Sequence, residues 1–86
     1  MDEHEFFRFA VWLMARADMG KVIPGSGGLR KVRWAAKGHG KSGGVRVIYF
    51  WWISDEKILF LDVYAKNEKE NLAADELAKL KRKVVP

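Results

Sequence analysis

The sequence predicts a small α+β domain, in which an N-terminal helix packs on an antiparallel sheet of at least three strands and a second helix closes the chain. The prediction rests on three features in order: a glycine-free apolar segment, a run of β-branched and aromatic residues, and an amphipathic segment. The chain has 86 residues, of which 49% are hydrophobic. That is enough for one packed core and too short for two, so we expect residues 1–86 to form one domain.

The first helix is predicted over residues 5–17 (EFFRFAVWLMARA), a segment without Gly or Pro. Its only polar stripe at helical spacing consists of Glu5, Arg8, Trp12 and Arg16. Almost every other side of this helix is apolar, so the sheet and either another element or a partner protein should pack on it. Gly20 is expected to end the helix.

Three strands are predicted over residues 29–36, 45–53 and 57–64, separated by turn or glycine-rich segments. Alternation in the first strand places Lys31 and Arg33 on one face. The other face receives Arg30, Val32 and Trp34. The second strand is nearly all apolar, so we expect it to be central and covered on both faces. Because the connections are local, the strands should form an antiparallel meander.

The closing helix is predicted from Asn71 onward. Acidic residues occur early in this segment and basic residues late, which is the distribution that the helix dipole favours. One helical stripe is apolar and should face the sheet; its members are Ala73, Leu77, Leu80 and Val84.

Positive charge is concentrated in the middle of the chain. The net charge is +5, yet residues 19–54 contain seven bases and no acid. A block of bases interleaved with aromatic residues is typical of a protein that binds an anionic partner, most simply a nucleic-acid backbone. A solvated basic face is the alternative interpretation.

The composition excludes several kinds of chemistry. The absence of Cys rules out disulfides, thiolate metal sites and cysteine nucleophiles. The two histidines, His4 and His39, have no clustered carboxylates beside them, so we expect neither a metal nor a cofactor. Residues 38–42 (GHGKS) are not a phosphate-binding loop, because the earlier glycine of that motif is replaced by Ala35 and a strand follows instead of a helix.

The N-terminus is acidic, unlike a secretory signal, and no apolar stretch approaches the roughly 20 residues of a membrane span. We therefore expect a cytoplasmic protein without membrane contact.

A candidate site follows from the predicted strands. If Arg46 faces the same side as Lys31 and Arg33, three cations converge without acids to pair them. Such a group can bind a phosphate and stabilise the added negative charge of its transition state, so a metal-free ribonuclease is chemically reasonable. A binding patch without catalysis is the alternative. The candidate catalytic residues are Lys31, Arg33, Arg46, Tyr64 and Lys66, and the candidate RNA-binding residues are Arg30, Lys37, His39 and Lys41.

Three blocks of the sequence resemble the HigB branch of the RelE/ParE toxin superfamily, from type II toxin–antitoxin modules. They are residues 23–33 (IPGSGGLRKVR), 40–49 (GKSGGVRVIY) and 64–69 (YAKNEK). The resemblance implies a RelE-like fold and an endoribonuclease that enters the ribosomal A site and cuts mRNA during translation. In RelE-like enzymes the mRNA 2′-hydroxyl attacks the adjacent phosphate without a metal ion.

The resemblance also implies partners and residue roles. A helix-turn-helix antitoxin of the HigA type would hold the toxin inactive and repress the operon, so operator DNA would be contacted only through the antitoxin. By motif position, Lys31, Arg33 and Arg46 would bind the RNA backbone and stabilise the transition state. Tyr64 and Lys66 would lie near the scissile phosphate.

The sequence departs from this pattern in three places. Members of the branch usually begin with a strand and a helix ahead of residues 5–17, which this sequence lacks. Either a partner protein or a homodimer through this helix would then replace the missing cover. RelE itself carries a C-terminal tyrosine that assists proton transfer, whereas no Tyr or His follows Tyr64, so the general base is unassigned. Relatives often carry Ser or Thr at the position of Ala73, three residues before Glu76, and the lost cap should cost about 1 kcal/mol unless Asn71 replaces it.

Two other functions are compatible with the same resemblance. One is a shortened, catalytically weak toxin homologue that acts as an antitoxin- or RNA-binding module. The other is a gyrase inhibitor of the ParE kind, which shares the fold. The presence of the cationic trio favours the ribonuclease.

Overall fold

In the described part of the chain, four antiparallel strands form one sheet whose spatial order is their order in the sequence, and two helices pack on its opposite faces. The structure is a computed structural model, which describes residues 3–34, 44–65 and 71–84. The predicted α+β class is confirmed. The elements are α1 Glu3–Met14, β1 Lys21–Val22, β2 Arg30–Trp34, β3 Val45–Trp52, β4 Lys57–Ala65 and α2 Ala74–Val84.

The central strand β3 organises both faces of the sheet, as its apolar sequence predicts. Val45, Val47 and Tyr49 face α1 and form one core cluster with Phe9 and Leu13. Ile48 faces α2 and belongs to a second cluster with Leu29, Tyr64 and Leu80. Because side chains alternate along a strand, β3 supplies the centre of both clusters.

Helix α1 differs from the prediction in both its bounds and its orientation. It ends at Met14 instead of residue 17, because the chain then makes two turns, closed by bonds from Arg16 N to Leu13 O (2.8 Å) and from Met19 N to Arg16 O (2.9 Å). The polar stripe does not face solvent throughout, since Glu5 is buried and its Oε2 accepts a 2.9 Å hydrogen bond from Trp34 Nε1. The solvent-exposed stripe contains Phe7, Val11 and Met14 instead.

The turns after α1 are attached to the sheet through Tyr49. Its hydroxyl donates a 2.6 Å hydrogen bond to Ala17 O and accepts a 3.0 Å bond from Gly20 N. A Cβ atom on Gly20 would overlap this hydroxyl. Gly20 therefore does not end the helix as expected; it makes room for the tyrosine.

The glycine-rich segment after β1 is a structured hairpin connection. Ile23 N donates to Leu29 O at 2.8 Å, and the buried Ser26 hydroxyl donates to Ile23 O and accepts from Leu29 N at 3.0 Å. Gly25 and Gly27 adopt positive φ angles of 72° and 73°, which favour glycine. The connection turns the chain back on itself, so that the unpredicted two-residue strand β1 pairs with β2.

Helix α2 begins close to its predicted position and packs through Leu77, Leu80 and Val84. Leu72 joins the same cluster, so it and Leu77 have the spacing of a hydrophobic staple at the helix N-terminus. The prediction that Ala73 belongs to the apolar stripe is wrong. Ala73 is exposed, because it precedes the first residue of the helix, Ala74. Half of a capping box remains, in which Ala73 N donates to Glu76 Oε1 at 3.0 Å. Neither described helix is long and apolar enough to cross a membrane.

We expect Tyr49→Phe to lower the free energy of unfolding by about 1–3 kcal/mol, because Ala17 O and Gly20 N lose their buried partner. Burial raises the pKa of the Tyr49 hydroxyl above its usual value near 10. The folded protein thus favours the neutral phenol, so this contribution to stability is present below pH 10 and is lost as the pH rises through the folded-state pKa.

The measurement is chemical denaturation of both proteins from pH 7 to 11. Tyr49→Phe should show less alkaline destabilisation than the parent, and equal slopes above pH 10 would contradict the role given to this hydroxyl.

Candidate nucleic-acid interface

The α2-facing side of the sheet gathers basic side chains from three neighbouring strands. Residues that lie directly opposite each other in an antiparallel pair share a face. Lys31 on β2 is opposite Lys21 on β1, and two residues further along β2, Arg33 is opposite Arg46 on β3. Two like-charged pairs therefore stand side by side. Like charges directly opposite each other destabilise a sheet, so this arrangement requires an explanation other than folding.

The four bases line one open groove of about 510 Å³. Its lining in the described part of the chain contains no carboxylate; it consists of Met19, Lys21, Lys31, Val32, Arg33, Arg46 and Asn71. Cations this close repel one another unless an anion enters between them. The groove is therefore suited to bind a phosphate or another anion.

Arg46 is the most buried of these cations, with 5% of its surface exposed. Its Nη1 atom is buried and has no hydrogen-bond partner among the described residues. A buried polar nitrogen without a partner costs stability, and the cost is larger for a charged group. An anion bound in the groove would give this guanidinium an acceptor and a counter-charge together.

The groove lies within a segment that known proteins share. The family described as the RelE toxin of the RelE/RelB toxin-antitoxin system matches residues 13–84, which include all four groove cations and both faces of the sheet. This chain belongs to the RelE toxin family. The protein is accordingly the toxin of a toxin–antitoxin system, and an antitoxin is its partner.

The structure of this RelE toxin brings together four of the five candidate catalytic residues. Lys31, Arg33 and Arg46 share the groove, and Tyr64 is opposite Arg46 in the β3–β4 register. Tyr64 is buried and packs with Leu80 of α2, so it supports the floor of the sheet beside Arg46.

The other candidates of the RelE toxin lie elsewhere. Lys66 and the loop candidates Lys37, His39 and Lys41 lie outside the described residues. Arg30 lies on the opposite face of the sheet, as alternation predicts. Its guanidinium donates a 2.8 Å hydrogen bond to Gly20 O and stands 5.4 Å from the centre of the Trp51 ring, which ties it to the structure around Tyr49 instead of to the groove.

Two groove residues of the RelE toxin were missed from the sequence. Lys21 was not among the candidates, because a two-residue strand has no periodicity to detect; the signal was the hairpin connection at residues 23–28, which returns the chain beside β1. Asn71 was considered only as a helix cap. Its Oδ1 instead accepts a 2.8 Å hydrogen bond from Lys31 Nζ.

The described lining of the groove contains no His, Asp or Glu that could bind a metal ion. Within residues 3–34, 44–65 and 71–84, no three His, Asp or Glu side chains stand close enough to hold a metal ion. What the arrangement offers chemically is a set of fixed positive charges and N–H donors.

We expect Arg46→Met to leave the free energy of unfolding unchanged or to raise it by up to roughly 1–4 kcal/mol, because methionine fills similar space and removes the buried Nη1 that has no partner among the described residues. The same substitution should abolish toxicity. Chemical denaturation and growth on induction measure the two effects.

Val47→Ala is the matched control for the denaturation assay, since it removes fully buried volume from the next position on β3 and must destabilise the protein. A loss of more than about 1 kcal/mol in Arg46→Met would mean that Arg46 serves the fold, not a ligand.

Proposed function

We propose that this toxin is a metal-independent endoribonuclease that cleaves mRNA on the ribosome and so inhibits translation. The observation that carries the proposal is the groove with Lys21, Lys31, Arg33 and the buried Arg46, in which no described lining residue is acidic. RNA phosphates are the anions that a protein of this family would meet during translation.

The chemistry requires stabilisation of charge at phosphorus. The 2′-oxygen of the mRNA forms a bond to the adjacent phosphorus, the bond from phosphorus to the 5′-oxygen breaks, and a proton leaves the 2′-hydroxyl while another reaches the 5′-oxygen. Negative charge accumulates on the non-bridging oxygens as the new bond forms. Donors that are already fixed around those oxygens lower the barrier without reorganising at the moment of reaction.

The groove residues divide this work by their geometry. Arginine presents a planar fork of N–H groups that fits two phosphate oxygens at once, whereas lysine acts as a compact positive charge. We assign Arg33 and Arg46, which are opposite each other, to the non-bridging oxygens of the reacting phosphate. Lys31 and Lys21, one row away, would hold the RNA backbone beside it. Cationic guanidinium and ammonium groups donate protons but do not accept them, so the base must come from outside this set.

Dependence on the ribosome fits an open groove of this composition. Contacts to phosphates position a nucleic acid but carry no sequence information. A toxin that contacts only the RNA backbone needs its substrate to be held in a defined conformation. The ribosomal A site would supply that conformation. The toxin would therefore act in the cytoplasm, where translation takes place.

We further infer that the antitoxin resembles the HigA type, with a helix-turn-helix domain through which the complex contacts operator DNA. The homodimer expected through α1 stays a prediction. The exposed stripe of α1, with Phe7, Val11 and Met14 exposed by 68%, 52% and 70%, is the surface available to it.

The test compares two double variants that each remove two positive charges. Lys31→Ala with Arg33→Ala removes two positively charged side chains from the groove. Lys79→Ala with Lys83→Ala removes two positively charged side chains from exposed positions on α2. We expect the first pair to lower mRNA cleavage by at least about 10²-fold and to relieve growth arrest, because the transition state loses the Arg33 donors and the RNA backbone loses its contact with Lys31. The second pair should remain toxic.

Cleavage is mapped by primer extension on a translated mRNA, with and without ribosomes. Equal toxicity of both double variants would contradict the proposed site. Growth arrest with intact mRNA and a DNA-damage response would identify a gyrase inhibitor instead, and tight antitoxin binding without either effect would identify an inert binding module.

A further inference from the structure

The segment that leads into α2 reaches across to the groove and holds one of its cations. Lys31 Nζ donates a 2.8 Å hydrogen bond to Asn71 Oδ1, although the two residues lie 40 positions apart in the sequence. Asn71 also lines the groove. In the described part of the lining, it is the polar side chain that carries no charge.

An amide oxygen is well suited to hold a lysine that must still bind phosphate. The ammonium group has three N–H donors, and Asn71 accepts from one of them, which leaves two for a ligand. The amide adds no negative charge, so the positive charge of Lys31 is kept for RNA. A carboxylate at the same position would pair with the ammonium and reduce its attraction for phosphate.

Asn71 lies three residues before α2, in a segment whose next residues are anchored on the sheet and at the start of the helix. Leu72, the next residue, packs into the same cluster as Leu77 and Leu80. The helix then begins with the bonds from Ala73 N to Glu76 Oε1 (3.0 Å) and from Leu77 N to Ala73 O (2.9 Å). The amide therefore projects from an anchored segment. Without this partner, the Lys31 side chain would stay mobile until RNA bound, and the entropy cost of ordering it would reduce the affinity.

We propose that Asn71 is a positioning residue, which holds the Lys31 ammonium group in the groove before RNA arrives. The proposal rests on the function proposed above and extends the site to the turn that precedes α2. The segment that precedes α2 thereby contributes to the groove through this hydrogen bond, while α2 itself covers the sheet.

The first measurement uses the free toxin and requires no catalysis. In protein with isotope-labelled lysine, the side-chain NMR signals of Lys31, assigned through Lys31→Arg, should show restricted motion that Asn71→Ala removes. The signals of Lys21 serve as the internal reference and should not change. Unchanged Lys31 signals in Asn71→Ala would overturn the proposal whether or not the protein is a ribonuclease.

The second measurement is mRNA cleavage in a ribosome-containing extract. Asn71→Ala should lower the rate by about 10-fold or more, because a misplaced group near the reacting centre costs rate steeply. Combined with Lys31→Ala, it should cause no additional loss, since both changes remove the same interaction. Additive losses would mean that Asn71 does not act through Lys31 and would overturn the proposal.

Glu76→Ala is the matched control for the stability of the turn. It removes the bond between Ala73 N and Glu76 Oε1 but leaves the amide facing Lys31. It should keep the Lys31 signals and the cleavage rate close to those of the parent. An equal loss in Glu76→Ala and Asn71→Ala would show that Asn71 acts through the fold of α2 alone. If the parent cleaves no mRNA, the proposed function fails, and the NMR comparison still decides whether Asn71 holds Lys31.

Discussion

The positive charge on one face of the sheet, with no acidic residue in the described lining of the groove, is the constraint that explains most of this structure. Lys21 opposes Lys31, Arg33 opposes Arg46, and Arg46 is buried with a nitrogen that no described residue satisfies. Each of these features costs folding free energy. The surrounding structure must supply enough stability to tolerate them, and a bound anion removes the cost.

The rest of the chain supplies that stability away from the groove. On the opposite face, Phe9 and Leu13 of α1 pack on Val47 and Tyr49, and all four side chains are fully buried. The α2 side is divided: Leu80 and its neighbours cover the sheet near Ile48, while the edge formed by β1 and β2 stays open for the cations. Each helix thus covers one face of the sheet, and the segment that precedes α2 borders the groove through Asn71.

Much of the fold could be predicted, because the elements with strong periodicity are those whose patterns reflect burial. The bounds of β3 and β4 differ from prediction by one residue each, and the alternation of Lys31 and Arg33 against Arg30 gave the faces of β2 correctly. The errors fall where tertiary contacts override local pattern. The early end of α1 depends on turns attached to Tyr49, and the burial of Glu5 depends on the indole of Trp34; both partners lie about thirty residues away.

The candidate site was predictable in part for the same reason. The alternation of side chains along the predicted strands and the absence of acidic residues between positions 19 and 54 were sufficient to group Lys31, Arg33 and Arg46. Lys21 could not be recognised without knowing that the glycine-rich turn closes a hairpin, and Asn71 could not be recognised without knowing where the turn before α2 lies. Both residues enter the groove through pairings between distant segments, which a single sequence does not display.

The most direct test of the central claim is the salt dependence of binding to a 2′-O-methyl RNA oligonucleotide, which cannot be cleaved. Each phosphate contact contributes about 0.7 to the slope of log affinity against log salt concentration for a single strand. We expect Lys31→Ala with Arg33→Ala to reduce the slope by roughly 1.4, and Lys79→Ala with Lys83→Ala to leave it unchanged. Equal slopes for both double variants would show that RNA is held by diffuse charge and not by the groove.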